Sequence, residues 1–306
     1  MNVLITGGTG FIGTHLIQEL KSHGYSIFVL TRDISRPHPD VTLIKGDITD
    51  RGSLLAALKG IDAVFHNAAL ARDSGRKKEI FAVNVTGTKN VADACKMSNV
   101  TRIIYTSSAG VYGFPNSMEA LTETSSKKPI NPYQKSKLIG EEILMNCPEL
   151  TTSVIRPPLV LGQGGMASKI LIENLKHHRM VYVGEGHTTV PIVHPFDVAQ
   201  CLRLALEKDT KGDIFNVVSF NCTVEELFKV IADKLSIPEP TRHIPYILAY
   251  LSAMFSEVFS SDPRYTRFRM KTLATNRVIS CEKAKKQLGF QPQYTLQRTV
   301  EDIIKT

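Results

Sequence analysis

The chain opens on an apolar strand that runs straight into a glycine-rich turn, Met1-Asn-Val-Leu-Ile-Thr-Gly-Gly-Thr-Gly-Phe-Ile-Gly13. Gly7, Gly10 and Gly13 form G-x-x-G-x-x-G, and Gly8, Gly10 and Gly13 also satisfy G-x-G-x-x-G. Glycines alone serve ordinary turns. Here Val3, Leu4 and Ile5 supply a strand before the turn, and Phe11, Ile12, Leu16, Ile17 and Leu20 an amphipathic helix after it, which is the context the motif requires. Such a turn lets backbone N–H groups approach a pyrophosphate at the positive end of the helix. Gly7, Gly10, Phe11, Ile12 and Gly13 are the candidate contacts.

The rest of the first half repeats this strand–helix unit. Strands are predicted at Val3–Thr6, Ser26–Leu30, Val41–Ile44, Ala63–His66, Ile103–Thr106 and Ser153–Ile155. Helices are predicted between them at Phe11–Ser22, Arg51–Leu58, Lys78–Met97 and Tyr133–Asn146. Strands alternating with helices imply a parallel sheet with right-handed crossovers, so residues 1–156 read as an α/β, doubly wound dinucleotide-binding core. After Arg156-Pro-Pro the pattern turns mainly helical, with helices predicted near Ala167–His177, Phe196–Glu207, Val224–Leu235, Tyr246–Phe259, Cys281–Leu288 and Leu296–Ile304. Residues 157–306 read as a smaller C-terminal substrate lobe over the carboxyl edge of the sheet, where ligands bind in such folds and where segments can pass back to the core.

Composition narrows the setting. With 42% hydrophobic and 22% charged residues, the 306-residue chain can build a sizeable core. Its five cysteines are scattered without a C-x-x-C pair, which suits buried thiols in a cytoplasmic protein, and no Cys or His spacing suggests a metal. No signal peptide is expected, because the strand begins at residue 2. The apolar stretch Ile244–Phe255 is shorter than the roughly 20 residues of a bilayer span and is expected to be a buried helix or a substrate-pocket lining. The net charge of +8 is spread out rather than clustered, so an anionic cofactor or small-molecule substrate explains it better than nucleic acid.

Tyr133-Gln-Lys-Ser-Lys137 is Y-x-x-x-K, after Asn131-Pro132, a pattern that starts a helix. Residues i and i+4 share a helix face, and a nearby cation favours the phenolate form of tyrosine, moving it toward useful proton transfer. Two solvated helix residues are the bland alternative. The fifth strand ends in Thr106-Ser-Ser-Ala-Gly-Val-Tyr-Gly113, which places hydroxyls at the ligand crevice. Ser108 is the candidate donor to a substrate oxygen. Ser107 and Thr106 either cap the strand end or touch the cofactor, and Tyr112 either reaches substrate or packs under the loop.

Together these residues resemble an extended short-chain dehydrogenase/reductase of the NAD(P)-dependent epimerase/dehydratase family, with a Rossmann core. The resemblance rests on Thr6-Gly-Gly-Thr-Gly-Phe-Ile-Gly13, Gly46-Asp47-Ile48, His66-Asn67-Ala68-Ala69, Asn84-Val-Thr-Gly, Ser107-Ser108-Ala-Gly-Val-Tyr-Gly113, Tyr133-x-x-x-Lys137 and Arg156-Pro157. It extends through His194-Pro-Phe-Asp197 and Glu282-Lys-Ala to Pro292. It implies Tyr133 as general acid/base, Lys137 on the nicotinamide ribose, Ser108 orienting the reacting oxygen and Asn84 in a water-linked proton relay. It also implies Asp47 and Ile48 at adenine, Ala68 and Ala69 beside the ribose, Pro157 against the nicotinamide, and a homodimer packed through the Lys78–Met97 and Tyr133–Asn146 helices.

Where NAD is preferred, an acidic residue usually ends the second strand. Here Thr31 stands in that place with Arg32 next to it, which favours NADP(H), since arginine accepts a 2′-phosphate. The competing reading has Asp33 on the ribose of NAD(H). Reduction of a carbonyl and epimerisation of a nucleotide sugar use the same Tyr, Lys and Ser. Leu159 replaces the asparagine that nucleotide-sugar members carry after Arg156, and no arginine precedes Val190-Pro191-Ile-Val-His194. The chain thus resembles the dihydroflavonol-reductase and hydroxysteroid-dehydrogenase branch, which implies a non-nucleotide carbonyl or secondary alcohol as substrate. Arg264, Arg267, Arg269 and Lys271 keep an anionic substrate open. A third reading, a non-catalytic NADP-binding regulator, expects a broken catalytic set.

Overall fold

The computed structural model describes residues 1–35, 41–72, 77–208, 210, 212–259 and 266–305. Arg264 lies outside them. Seven strands form one sheet in the spatial order Ile214–Asn216, Thr151–Arg156, Arg102–Thr106, Ala63–His66, Asn2–Thr6, Ser26–Thr31 and Thr42–Lys45. Every pairing in it is parallel. A parallel sheet needs cover on both faces, and the sequence supplies near-continuous apolar strands: Val3, Leu4, Ile5, Ala63, Val64 and Phe65 are fully buried. Leu16, Leu20, Val198 and Leu202 cover one face, from the helices Phe11–Ser22 and Pro195–Glu207. Leu54, Val91 and Leu144 cover the other. The chain winds outward from Asn2–Thr6 in one direction and then returns to start the other half at Ala63–His66. That reversal opens a crevice beyond the carboxyl ends of these two strands.

The lobe after residue 157 is mainly helical and also carries short strands. Leu159–Val160, Thr189–Val193 and Phe220–Thr223 make a second small sheet. The helix Val224–Leu235 closes over it, started by a capping box between Thr223 and Glu226. Leu159–Val160 is too short for a periodic signal, and the longer strands Thr189–Val193 and Phe220–Thr223 are not among the strands that the sequence pattern predicts. The chain does not divide cleanly at residue 156: Ile214–Asn216 adds the seventh strand to the core sheet, and the helix Pro195–Glu207 packs on the core helix Phe11–Ser22.

Two expectations need correction. The predicted continuous helix Lys78–Met97 is a short helix, Lys77–Phe81, then a π-helical turn, Ala82–Thr86, then Gly87–Met97. The side chain of Asn84, inside the π turn, bonds the backbone of Leu70, which sets that wide turn in place. The stretch Ile244–Phe255 is not a buried helix. Among the described side chains of Tyr246–Phe259 only the small residues Ala249 and Ala253 are fully buried, while Ile247, Leu248 and Phe255 are exposed at 68%, 60% and 59%. Among the described residues no helix is long and apolar enough to cross a membrane.

One ion pair ties the helix Pro132–Met145 to the sheet. Arg156 ends its strand fully buried. Its Nε and Nη2 donate to the two Glu141 carboxylate oxygens at 2.9 and 2.6 Å, and its Nη1 donates to the Tyr112 hydroxyl at 2.7 Å. Tyr112 in turn donates to Asn216 Oδ1 at 2.7 Å, and Ser107 donates to Glu141. Removing one partner of such a pair strands the other charge in the interior. Glu141→Ala is therefore expected to lower unfolding stability by about 3–5 kcal/mol in urea titrations; a loss below about 1 kcal/mol, the level of an exposed pair, would show that the pair does not anchor the helix.

Candidate active site

Backbone crowding defines the floor of the crevice. Gly7 has φ +71°, and a Cβ there would lie 2.7 Å from the Ala68 nitrogen. A Cβ on Gly13 would lie 2.2 Å from the Gly7 carbonyl oxygen. Gly10 closes the turn by donating to that carbonyl at 3.0 Å, and it also caps the following helix without any side-chain bond. The first turn of this helix carries no acidic residue. Its N-terminal N–H groups thus face the crevice without a competing anion, which fits the pyrophosphate of a dinucleotide. Phe11 packs on Gly165, where a Cβ would come within 2.8 Å of its ring, and Ile12 packs into the core.

A hydrogen-bonded chain runs beneath the turn. Thr6 Oγ1 meets His66 Nδ1 at 2.7 Å, His66 Nε2 meets Thr88 Oγ1 at 2.9 Å, and Thr88 donates to the Asn84 carbonyl at 2.6 Å. Because the Thr88 proton is committed to Asn84, Thr88 accepts from His66 Nε2–H, and His66 Nδ1 accepts from Thr6. Thr6 Oγ1 then receives the Ala68 N–H at 3.2 Å. This order requires neutral His66, and burial, aided by the Lys137 charge, pushes its pKa down to about 3.

The predicted site residues gather around this floor. Gly7–Gly13, Arg32, Asp47 and Ile48, Ala68 and Ala69, Ser108, and Pro157 each come after the carboxyl end of a different strand of the sheet. Arg32 is exposed just past Ser26–Thr31. Asp47 is half-buried and accepts from the Thr49 N–H at 2.8 Å, while Ile48 is buried against Gly87. The Pro157 carbonyl accepts from Ala109 N–H at 2.9 Å, which holds the residue next to Ser108.

Asn131 caps the helix Pro132–Met145 by accepting from Gln134 N–H at 2.8 Å, with proline in the first position. Tyr133 therefore lies in the first turn and Lys137 one turn later on the same face. Lys137 is 2% exposed, with Nζ 4.1 Å from the centroid of the Tyr105 ring. Burial draws its pKa down to about 7 against the opposing pull of Glu141. Ser108 Oγ accepts from Gly110 N–H at 3.0 Å, so the hydroxyl proton stays available to a substrate oxygen. Asn84 is buried; it accepts from Leu70 N–H at 2.7 Å and donates to Ser136 Oγ at 2.9 Å, and Ser136 donates to the Tyr133 carbonyl at 2.7 Å. Asn84 thus touches the helix that carries Tyr133 through Ser136. Ser107 and Tyr112 serve the Arg156–Glu141 pair, and Thr106 donates to Asn67.

Several supporting residues escape a reading by motif. Tyr105 lies under Lys137 yet looks like an ordinary strand residue in the sequence, whereas His66, which opens the His66-Asn67-Ala68-Ala69 motif, ties its strand to Thr6 and Thr88. Glu141 did leave a trace, one turn beyond Lys137 on the same helix face. Across the lobe, Asp197 accepts from Ser219 Oγ and from the N–H groups of Gln293 and Tyr294, and His194 Nε2 meets Asp302 at 3.0 Å.

A family model described as the NAD dependent epimerase/dehydratase family matches residues 3–218. The chain belongs to this family. It is 31% identical to sterol-4-alpha-carboxylate 3-dehydrogenase, decarboxylating, of Homo sapiens, across 99% of this chain and 87% of that protein. It is 28% identical to the 2-alkyl-3-oxoalkanoate reductase of Stenotrophomonas maltophilia, across 97% of this chain and 96% of that one. Among solved structures, MoeE5 in complex with UDP-glucuronic acid and NAD superposes with a TM-score of 0.80 at 25% identity, covering 100% of this chain and 98% of that chain. The protein is an enzyme of the extended short-chain dehydrogenase/reductase type, and its crevice fits a nicotinamide dinucleotide.

Burial of Lys137 has a measurable consequence. Its pKa falls from 10.5 in the unfolded chain to about 7 in the folded one. Above pH 7 the unfolded chain keeps a proton that the folded chain has released, so stability rises with pH. The effect is expected in the cofactor-free protein between pH 7 and about 8.5, before unfolded cysteines ionise. Denaturant midpoints across this window should climb in the wild type and flatten in Lys137→Met; identical slopes would contradict the assignment.

Proposed function

We propose that this enzyme moves hydride between a nicotinamide and a non-nucleotide carbonyl or secondary alcohol. The segment after Arg156 carries the reading. Leu159 and Val160 come after Arg156-Pro-Pro as a short strand on Thr189–Val193, and Leu161 is buried. Leu159 stands where nucleotide-sugar members carry an asparagine, so this segment lacks the polar side chain that such substrates meet there. The sterol dehydrogenase and the oxoalkanoate reductase support the same reading by the substrates in their names.

A bound nicotinamide supplies or takes the hydride. In the direction of reduction, Ser108 donates a hydrogen bond to the carbonyl oxygen and Tyr133 passes its phenolic proton to that oxygen as the alcohol forms. Protonated Lys137 favours the resulting phenolate. Oxidation runs through the same groups in reverse, with phenolate as base. Tyr133→Phe is expected to lower turnover by about 100- to 10,000-fold, the range of one general acid/base, with cofactor affinity nearly unchanged. Undiminished turnover would refute the role of Tyr133.

NADP(H) is the cofactor this reading prefers. Thr31 is buried and bonded to the Asp33 backbone. The Asp33 carboxylate accepts from Ser35 N–H at 2.8 Å, which turns it into its own loop, and Arg32 is the exposed cation at the strand end. Arg32→Glu is expected to weaken NADPH about 10- to 100-fold more than NADH, the loss of a charge-assisted hydrogen bond; equal losses in a binding titration would return the choice to NAD(H).

Epimerisation of a nucleotide sugar is the second reading, favoured by the likeness to MoeE5, whose structure holds UDP-glucuronic acid and NAD. Denaturing the purified protein and identifying the released cofactor separates the two. Exchangeable or absent dinucleotide supports the oxidoreductase; stoichiometric NAD that survives washing supports the epimerase. We also propose a homodimer through Gly87–Met97 and Pro132–Met145. These helices pack side by side and leave Met97 58% and Met145 37% exposed. The described cysteines, all free and buried, support a reducing, cytoplasmic setting.

A further inference from the structure

Among the described residues, Arg277 is a buried cation without an anion. It is only 6% exposed, and its Nε has no hydrogen-bond partner. Burial alone acts on its pKa, drawing it down to about 10, with no carboxylate to counter it. Among the described residues its guanidinium makes one directed contact, a stack over the Phe114 ring at 4.4 Å. Arg156 shows how this fold treats a guanidinium that serves structure: two carboxylate oxygens and a phenol satisfy it. Arg277 lacks all of these, so its burial is uncompensated until something negative arrives.

Its backbone is held firmly at the crevice. Arg277 N–H donates to the Thr189 carbonyl at 2.9 Å, and the neighbouring Asn276 bonds both Thr189 and Asn116. The strand Val278–Ile279 pairs with Ala120–Leu121, and Ile279 packs with Ala109, Val111, Tyr112 and Leu138. Those residues flank Ser108 on one side and Lys137 on the other. Phe114, the platform for the guanidinium, comes directly after the Ser108–Gly113 turn. Arg277 therefore projects from the lobe onto the segment that presents Ser108.

We infer that Arg277 binds a carboxylate of the substrate, close to the carbon served by Ser108 and Tyr133. The inference rests on the oxidoreductase reading and adds to it a substrate class: a hydroxy or oxo acid with an apolar body. A planar guanidinium pairs with a carboxylate through two parallel hydrogen bonds. One buried positive charge balances one negative charge, which suits a carboxylate and falls short of a diphosphate. Leu159, half-buried where nucleotide-sugar members carry an asparagine, suits an apolar remainder of such a substrate.

The test uses holoenzyme with 3-hydroxydecanoate and its methyl ester, which differ only in the charged group. Wild type is expected to favour the acid. Arg277→Gln should raise KM for the acid by about 10- to 100-fold, the loss of a charge-assisted pair, while kcat and the ester kinetics stay within about threefold. Arg277→Lys, which keeps the charge but not the fork, should fall between. Calorimetric titration of decanoate reads the site without turnover, and its affinity should drop in Arg277→Gln. Equal decanoate affinity in wild type and variant, or none in wild type, would overturn the inference. Arg277-dependent decanoate binding without turnover of acid or ester would support the carboxylate site and refute the oxidoreductase reading instead. Binding of UDP-glucose that is lost in Arg277→Gln would replace the carboxylate by a diphosphate. The melting temperature of Arg277→Gln should hold or rise, since an unpaired buried charge is removed; a marked fall in both variants would make Arg277 structural and overturn its role in binding.

Discussion

No side chain fits between the first strand and the helix after it. A methyl group on Gly13 would collide with the Gly7 carbonyl, and one on Gly7 with the backbone of Ala68. Both contacts are with main chain, which cannot rotate away. This close approach brings the N-terminus of Phe11–Ser22 over the end of Asn2–Thr6, and lets the loop after Ala63–His66 lie directly beside it. The remaining site depends on that packing. Every strand that contributes a candidate residue is registered, directly or through its neighbours, against Asn2–Thr6.

Polar groups inside this core divide into those that are satisfied and those that are poised. His66 belongs to the first kind, with both nitrogens bonded to threonines, and so does Arg156 with Glu141. These groups hold segments together and resist titration or exchange. Lys137 and Arg277 belong to the second. Lys137 rests on an aromatic ring and is buried enough to lower its pKa, and Arg277 rests on another ring with no counterion among the described residues. A buried charge left incomplete is costly in a folded protein and is retained where a ligand completes it. Both poised cations flank the segment that carries Ser108, one from the core and one from the lobe.

Much of this was legible along the chain, and the reason is geometric. Tyr133 and Lys137 are four residues apart on one helix, and Gly7 to Gly13 form one turn, so short-range spacing carries their relation. The six core strands were legible because a doubly covered parallel strand is a run of apolar residues. Less legible were features that depend on distant partners. The π turn at Ala82–Thr86 depends on Asn84 reaching Leu70 and Ser136, which no local pattern records. The helix Tyr246–Phe259 is mostly apolar, so composition leaves it a buried helix or a pocket lining, whereas among its described side chains only Ala249 and Ala253 are fully buried. The basic cluster from Arg267 to Lys271 drew notice by number, while the lone Arg277 drew none.

By itself, the sequence determined the doubly wound fold and named Ser108, Tyr133 and Lys137 as candidates at its crevice, because strand runs, helix faces and glycine spacing are local properties of a chain. The tertiary structure alone decided which charges are complete. Glu141 meets Arg156, Thr6 and Thr88 meet His66, and among the described residues the Arg277 guanidinium meets only Phe114. Burial and partnership are set by segments far apart in the chain, and a charge acquires its meaning from what folding places beside it.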